Sequence, residues 1–396
     1  MKLADRLRFI EPFYVMEVAK AASAVARTPA CDPALGGTPM IYLNIGEPDF
    51  GAAPLVAEAA RQVIARGRTP YTQATGLPEL KQAISGWYAS HFKLDIEPSR
   101  IVVTAGASAA LQLVCLALFG EGDEVLMPDP CYPCNRHFVA AVGAQARMLP
   151  TTPAQRFQLD AASIAAAWQP HTRGVLLATP SNPTGTSIEP AEMARIVQAV
   201  RLRGGATVVD EIYLGLSYDL RFAGSALGLG EDVISVNSFS KYFGMTGWRL
   251  GWLVLPAELV EPVERLAQNL YICPSTVAQV AALACFEAES LAEYERRRGE
   301  LALRRDLLLR GLDRIGMPAP VEPDGAFYAW ADVSRHAPDS WDLCHRLIDE
   351  AHVALTPGRD FGPLGAQRYA RLSYATARPL LSEALERLER HLNSKV

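Results

Sequence analysis

The chain has 396 residues, 49% apolar and 20% charged, with a formal net charge of −5. That balance fits a soluble globular protein of two or three domains at roughly 150 residues each. It gives no basic footprint for nucleic acid or for an anionic membrane surface.

The chain opens MKLADRLRFIEPFYVMEVAK, where charges and a proline interrupt any apolar core that a signal peptide would need. No run of about 18 apolar residues occurs, so no membrane span is expected. Thr28–Pro39 is rich in proline, glycine and small residues and reads as a loop. Short apolar runs then mark strands at Ile101–Thr104, Glu124–Met127, Gly174–Ala178, Thr207–Asp210, Val233–Asn237 and Gly251–Val254. Stretches of helical period lie between several of them, such as Ser108–Phe119 and Ala191–Leu202. Strands that are apolar throughout and alternate with helices predict an α/β domain with a mostly parallel sheet buried on both faces.

From about Ser290 the pattern changes. A long charged helix is predicted over Ser290–Gly311, then a strand at Ala326–Trp330, a helix at Trp341–Ala351, a strand at Tyr369–Tyr374 and a last helix at Leu380–Leu392. This reads as a smaller α+β domain, with residues 1–45 packed on it and residues 46–289 forming the large domain.

The seven cysteines, Cys31, Cys115, Cys131, Cys134, Cys273, Cys285 and Cys344, are scattered and odd in number, which fits reduced thiols in a cytoplasm. Cys131 and Cys134 form one CxxC. A zinc site needs two more ligands, and His137 leaves the set incomplete, so no metal is expected.

Four segments carry candidate chemistry, each at the carboxyl end of a predicted strand, where open α/β sheets bind ligands. In IVVTAGASAAL (101–111) a small-residue turn opens a helix, whose free N–H groups at Ala107 and Ser108 suit a phosphate. Ser108 would equally serve as an ordinary cap. In GVLLATPSNPTG (174–185) the Asn–Pro bond is a candidate cis peptide that would aim Asn182 into the crevice. In TVVDEIY (207–213) Asp210 ends a very apolar run, where a charge is costly unless paired, and Tyr213 lies three residues on. In SFSK (238–241) a lysine follows an apolar strand, with Arg249 eight residues later. Burial and a nearby cation would lower that lysine's pKa and free its amine to attack a carbonyl. Ser238 and Arg249 could share a phosphate.

SFSKYFGMTGWRLGW resembles the cofactor-lysine signature of the class I/II aminotransferases, fold type I of the pyridoxal phosphate (PLP) enzymes. NIGEPDF (44–50) resembles that family's loop through which substrate enters, and YTQATGLPEL (71–80) its dimer-interface segment. DPCYP, NPTG, DEIY, GAFYAW (325–330) and RLSYA (371–375) also resemble family motifs, in the family's order along nearly the whole chain. The resemblance implies that Lys241 forms an aldimine with PLP and later shuttles the proton. Asp210 would hold the pyridine nitrogen protonated, Asn182 and Tyr213 would bond the ring oxygen, and Tyr132 would stack on the ring. Ala107, Ser108, Ser238 and Arg249 would bind the phosphate, reached also by Tyr71 of the other subunit of a homodimer. Gly46 would let the backbone approach the substrate, and Arg371 would clamp its α-carboxylate. Two departures bear on substrate preference: Asn135 stands where many relatives carry an aromatic residue, and the Thr28–Pro39 loop is long.

The implied reaction moves an amino group from an L-amino acid to a 2-oxo acid in two ping-pong halves. A C–S β-lyase on the same scaffold would share every cofactor residue. A non-catalytic PLP-sensing module would need a DNA-binding domain, and this sequence begins directly with aminotransferase-like residues. For the donor's side chain, Arg136 is a candidate cation, though a place on a solvated helix face is the better reading of it, while Phe13, Tyr14 and Tyr271 are candidates for an apolar wall.

Overall fold

The structure is a computed structural model that describes residues 3–12 and 14–393. Its twelve strands are β1 (Ile41–Tyr42), β2 (Ile101–Thr104), β3 (Glu124–Asp129), β4 (Gln145–Pro150), β5 (Thr172–Ala178), β6 (Ala206–Asp210), β7 (Val233–Ser238), β8 (Gly251–Val254), β9 (Tyr328–Asp332), β10 (Val353–Ala354), β11 (Thr356–Pro357) and β12 (Tyr369–Ser373).

Seven of them form one sheet in the order β2-β8-β7-β6-β5-β3-β4. All its pairings are parallel except those of β8, which runs against both β2 and β7. Every residue of β2, β3, β7 and β8 is buried, as expected of strands covered on both faces. Apolar clusters lie on either side: Val102, Val125, Met127 and Val208 face the helix Ala107–Leu118, while Leu126, Val175, Leu177 and Val209 face the helix Pro190–Arg201. The protein is therefore α/β with a mostly parallel central sheet. The sequence reading missed β4, which sits at the sheet's edge with only Leu149 buried, so it lacks an apolar signature.

The parallel strands all end at one edge of the sheet. Because β8 is antiparallel, it starts there too: Gly251 pairs with both Thr104 and Ser238, the last residues of β2 and β7. Arg249, just before β8, is thus delivered to the same edge as the residues that follow its neighbours.

The rest of the chain builds two small sheets. In one β1 pairs with β10, and in the other β12 lies between β11 and β9. The predicted strand Ala326–Trp330 is displaced to Tyr328–Asp332, because Ala326 adopts a left-handed φ of +56° that an extended strand does not accept. The helix Ala288–Ile315 packs on the helix Arg378–Asn393. The helix Tyr14–Val25 buries Val18 and Ala22 against Ile348 and Ala354. Thr28–Pro39 contains two short 3-10 turns, at Pro29–Cys31 and Pro33–Leu35. All seven cysteines are free thiols. Among the described residues no helix is long and apolar enough to cross a membrane.

Candidate active site

A cavity of about 330 Å³ opens at the carboxyl edge of the large sheet. Gly46, Ala107, Ser108, Tyr132, Asn182, Asp210, Tyr213, Ser238, Lys241, Arg249 and Arg371 all line it, whereas Tyr71 does not.

At the cavity floor, the end of β6 places Asp210. Its side chain is buried, and Oδ1 accepts from the Ile212 N–H over 3.1 Å. Burial raises its carboxyl to about 7, against the pull of that N–H and of Lys241. A protonated heterocyclic nitrogen against this carboxylate would remove the penalty, so the floor fits a pyridinium.

Lys241 follows β7. Its Nζ donates to the Gly46 carbonyl at 2.8 Å and lies 5.9 Å from the Tyr213 ring centre and 5.6 Å from that of Phe327. The amine is thus held between two aromatic faces and one backbone oxygen, with its carbon stem sheltered.

The phosphate end fits equally well. The helix Ala107–Leu118 begins here, so its first N–H groups are without intrahelical acceptors. Gly106 ahead of it has φ +87°, and a Cβ there would lie 2.7 Å from Arg249 Nη2. Glycine is therefore required for the guanidinium to approach the helix start. Arg249 itself has φ +53°, and its Nη1 donates to the Thr246 carbonyl at 2.9 Å. Ser238 Oγ accepts from the Ser240 N–H at 3.0 Å, which orients the hydroxyl beside them. Helix N–H groups, a hydroxyl and a guanidinium make a donor set suited to a phosphate.

At the far wall Arg371 rises from β12. It is 3% exposed, yet forms no ion pair among the described residues. Nη1 donates to Asn182 Oδ1 at 2.9 Å, Nη2 to the Asn44 carbonyl at 2.7 Å, and Nε has no partner. The guanidinium lies over the rings of Tyr328 at 4.4 Å and Phe361 at 5.0 Å. A buried cation with neutral partners and an idle donor is an anion receptor by its own energetics. Asn182, in a loop where the Asn182–Pro183 bond is cis as expected, turns its oxygen to Arg371, which has only donors. Its amide nitrogen remains for a ring oxygen.

Tyr328, which the sequence marks only as part of GAFYAW, is central. Its hydroxyl accepts from Tyr213 Oη at 3.1 Å, its ring supports Arg371, and a Cβ on Gly46 would collide with its oxygen. Periodicity reads it as a core strand residue, and only the neighbouring Arg371 reveals more. Val15, Glu47, Leu111, Ile212, Ser240 and Thr246 also line the cavity and carried no sequence signal of their own.

Arg136 does not line it. Its guanidinium is taken by the Asp360 carbonyl at 3.2 Å and by Glu11 at 3.5 Å. Tyr14 packs edge-on against Trp341, and neither it nor Tyr271 reaches the cavity. Phe13 lies outside the described residues. Tyr71 is 78% exposed, away from this chain's own cavity.

The family profile described as aminotransferase class I and II matches residues 38–388. A valine–pyruvate aminotransferase of Mycobacterium tuberculosis is 38% identical over 98% of this chain and 97% of its own length. A crystal structure of an aminotransferase from Mycobacterium tuberculosis superposes with a TM-score of 0.94 at 38% identity, covering all of both chains. The aspartate aminotransferase of Thermus thermophilus, solved with maleate, gives 0.91 at 33% identity over 98% of this chain and 99% of the other.

Proposed function

Because this chain belongs to the class I and II aminotransferases, a PLP-dependent family, we propose that it transfers the amino group of an apolar L-amino acid to a 2-oxo acid, with Lys241 as its proton shuttle. Relatives matched over their full length are aminotransferases, and this displaces the β-lyase and the non-catalytic sensor.

The observation that carries the reading is a single cavity with Lys241 and Asp210 at its floor and a buried, carboxylate-free Arg371 at its wall. PLP, when bound, supplies an aldehyde that condenses with amines and a protonated ring that withdraws electrons from the substrate Cα. The helix start at Ala107 and Ser108, with Ser238 and Arg249, would hold its phosphate. Asp210 would hold its ring nitrogen, Asn182 and Tyr213 its ring oxygen, and Tyr132 one ring face. Arg371 would grip the substrate α-carboxylate by charge-assisted bonds. Lys241 Nζ, once displaced by the incoming amine, would take the α-proton as general base and deliver it as general acid to the cofactor carbon that keeps the amino group. The first oxo product leaves before the second oxo acid enters, which makes the kinetics ping-pong.

Two features support an apolar donor. Valine is the amino acid in the name of one relative. The cations lining the cavity are Lys241, Arg249 and Arg371, each with a task, and Glu47 beside them disfavours a second substrate carboxylate. The Thermus relative, solved with the dicarboxylate maleate, marks the alternative. Initial rates with valine, alanine and aspartate against pyruvate and 2-oxoglutarate test this: parallel double-reciprocal lines with valine support it, and a strong preference for aspartate overturns the donor class.

The exposed Tyr71 supports a homodimer in which it completes the partner's phosphate site, and the free cysteines suit a reducing cytoplasm. The division into residues 46–289 and 1–45 with 290–396 is supported by the sheets, since the large one uses only strands between 101 and 254.

A further inference from the structure

Asp360 lies in the 3-10 turn Gly358–Asp360, and its side chain is fully buried. Its two oxygens accept from the backbone N–H groups of Tyr14 and Val15, each at 3.1 Å. These N–H groups open the helix Tyr14–Val25, so they have no acceptors within it. A carboxylate at that end also meets the positive pole of the helix. The Asp360 carbonyl accepts from Arg136 Nη1 at 3.2 Å, and Arg136 Nη2 reaches Glu11 at 3.5 Å. One residue thus binds the N-terminal segment directly and again through Arg136.

The connection matters because the segment ahead of the helix is otherwise held at the surface, by the turn Asp5–Phe9 on the helix Pro133–Ala141 and by Arg6 Nη1 donating to the Ala141 carbonyl at 3.1 Å. Residues 3–12 are all exposed, and the fully buried side chains of the helix are Val18 and Ala22, with Tyr14 half-buried edge-on against Trp341. Between those anchors and the exposed segment sits Val15, whose side chain lines the same cavity as Arg371 and Tyr132. On the other side Asp360 is joined to Phe361, whose ring supports the Arg371 guanidinium. The residue that fixes the helix start is therefore next in sequence to the one that backs the carboxylate clamp.

We propose that Asp360 is a positioning residue: by docking the first turn of the N-terminal helix it holds Val15 as a wall of the substrate side-chain pocket and so sets the discrimination among apolar donors. This rests on the reading that an amino acid's side chain occupies that part of the cavity. The residue itself touches neither the cofactor residues nor Arg371 by a hydrogen bond.

The test compares the wild-type holoenzyme with Asp360→Ala and Asp360→Asn. Hydrogen–deuterium exchange without substrate should rise in the peptide covering residues 14–25 of Asp360→Ala, with the rest of the chain unchanged. Asp360→Asn, which offers one acceptor oxygen to two N–H groups, should fall between. KM for valine should rise about tenfold in Asp360→Ala, the order expected for loss of a helix cap, while kcat stays within about twofold. KM for alanine, the donor with the shortest apolar side chain, should change less than threefold by the same logic. Unchanged exchange at residues 14–25, or an equal rise for alanine and valine, would overturn the proposal. If Asp360→Ala does not fold, the Asp360→Asn variant decides by the same two readouts. If neither amino acid is a substrate, the functional reading fails on its own, and the exchange measurement still decides whether Asp360 docks the helix.

Discussion

Lys241 Nζ and the Gly46 carbonyl are joined by a 2.8 Å hydrogen bond that ties the end of the large sheet to the loop arriving from the N-terminal side. The amine proposed as the proton shuttle is therefore held beside the Gly46 loop. Lys241→Ala removes the base and leaves the fold, since the side chain is only partly buried. Turnover should drop below detection while the circular dichroism spectrum and melting curve stay close to wild type. Wild-type turnover would refute the assignment.

Gly46 has no room for a side chain, because a Cβ would strike the Tyr328 hydroxyl. Gly46→Ala should push Tyr328 aside, breaking its bond to Tyr213 and its support of Arg371. KM for the amino acid should rise roughly five- to hundredfold, as for a cost of roughly 1–3 kcal/mol from overpacking. Adding Tyr328→Phe removes the colliding oxygen, so the double variant should recover much of the loss. A double variant as poor as Gly46→Ala alone would contradict this account.

Arg371→Ala takes away the cation proposed to receive the α-carboxylate. Losing two charge-assisted bonds in a buried site costs on the order of 3 kcal/mol, or roughly a hundredfold in KM. Arg371→Lys should recover only part, because an ammonium cannot make the planar two-pronged contact. An unchanged KM in steady-state assays would remove Arg371 from the clamp.

Asp210 predicts a pH dependence in the cofactor-free protein. Its carboxyl titrates at about 7 when folded, against an ordinary value of 3.8. Between those values the unfolded chain is ionised and the folded chain still holds the proton. Stability should thus fall as pH rises from about 4 to 7 and level off above, with a ceiling of roughly 4 kcal/mol. Asp210→Asn should flatten that slope and make the cofactor-free protein more stable than wild type at pH 8. Identical pH profiles from denaturant titrations would contradict the burial argument.

If Tyr71 serves the partner's site, Lys241→Ala and Tyr71→Ala chains should complement each other. In a mixed dimer one site carries both changes and the other carries neither. Co-refolded mixtures should then regain roughly a quarter of wild-type sites, by statistical pairing in a two-fold dimer. Activity no higher than the sum of the parents would place Tyr71 outside a shared site.

The pattern of apolar runs made the parallel sheet legible, because strands buried on both faces leave an apolar signature whatever their neighbours. β4 escaped for the converse reason, being a mostly exposed edge. The lysine, the two carboxyl-end loops and the phosphate turn could be read because each follows a strand. Val15 and Tyr328 could not, since a valine on a helix and a tyrosine in a strand look like packing until Arg371 is seen beside them. Arg136 stayed ambiguous because sequence proximity to Tyr132 does not reveal that Asp360 and Glu11 occupy its guanidinium. The order of β8 was likewise invisible, and only its antiparallel pairing explains how Arg249 meets the helix start at Ala107.

The most direct test of the central claim is a visible absorption spectrum of the purified holoenzyme, recorded before and after adding amino acids one at a time without any oxo acid. The account predicts a yellow band that is lost with valine as the amino group passes to the cofactor, releasing one oxo acid per site and no ammonia. A band that persists while ammonia accumulates, or no band even after PLP is supplied, would contradict it.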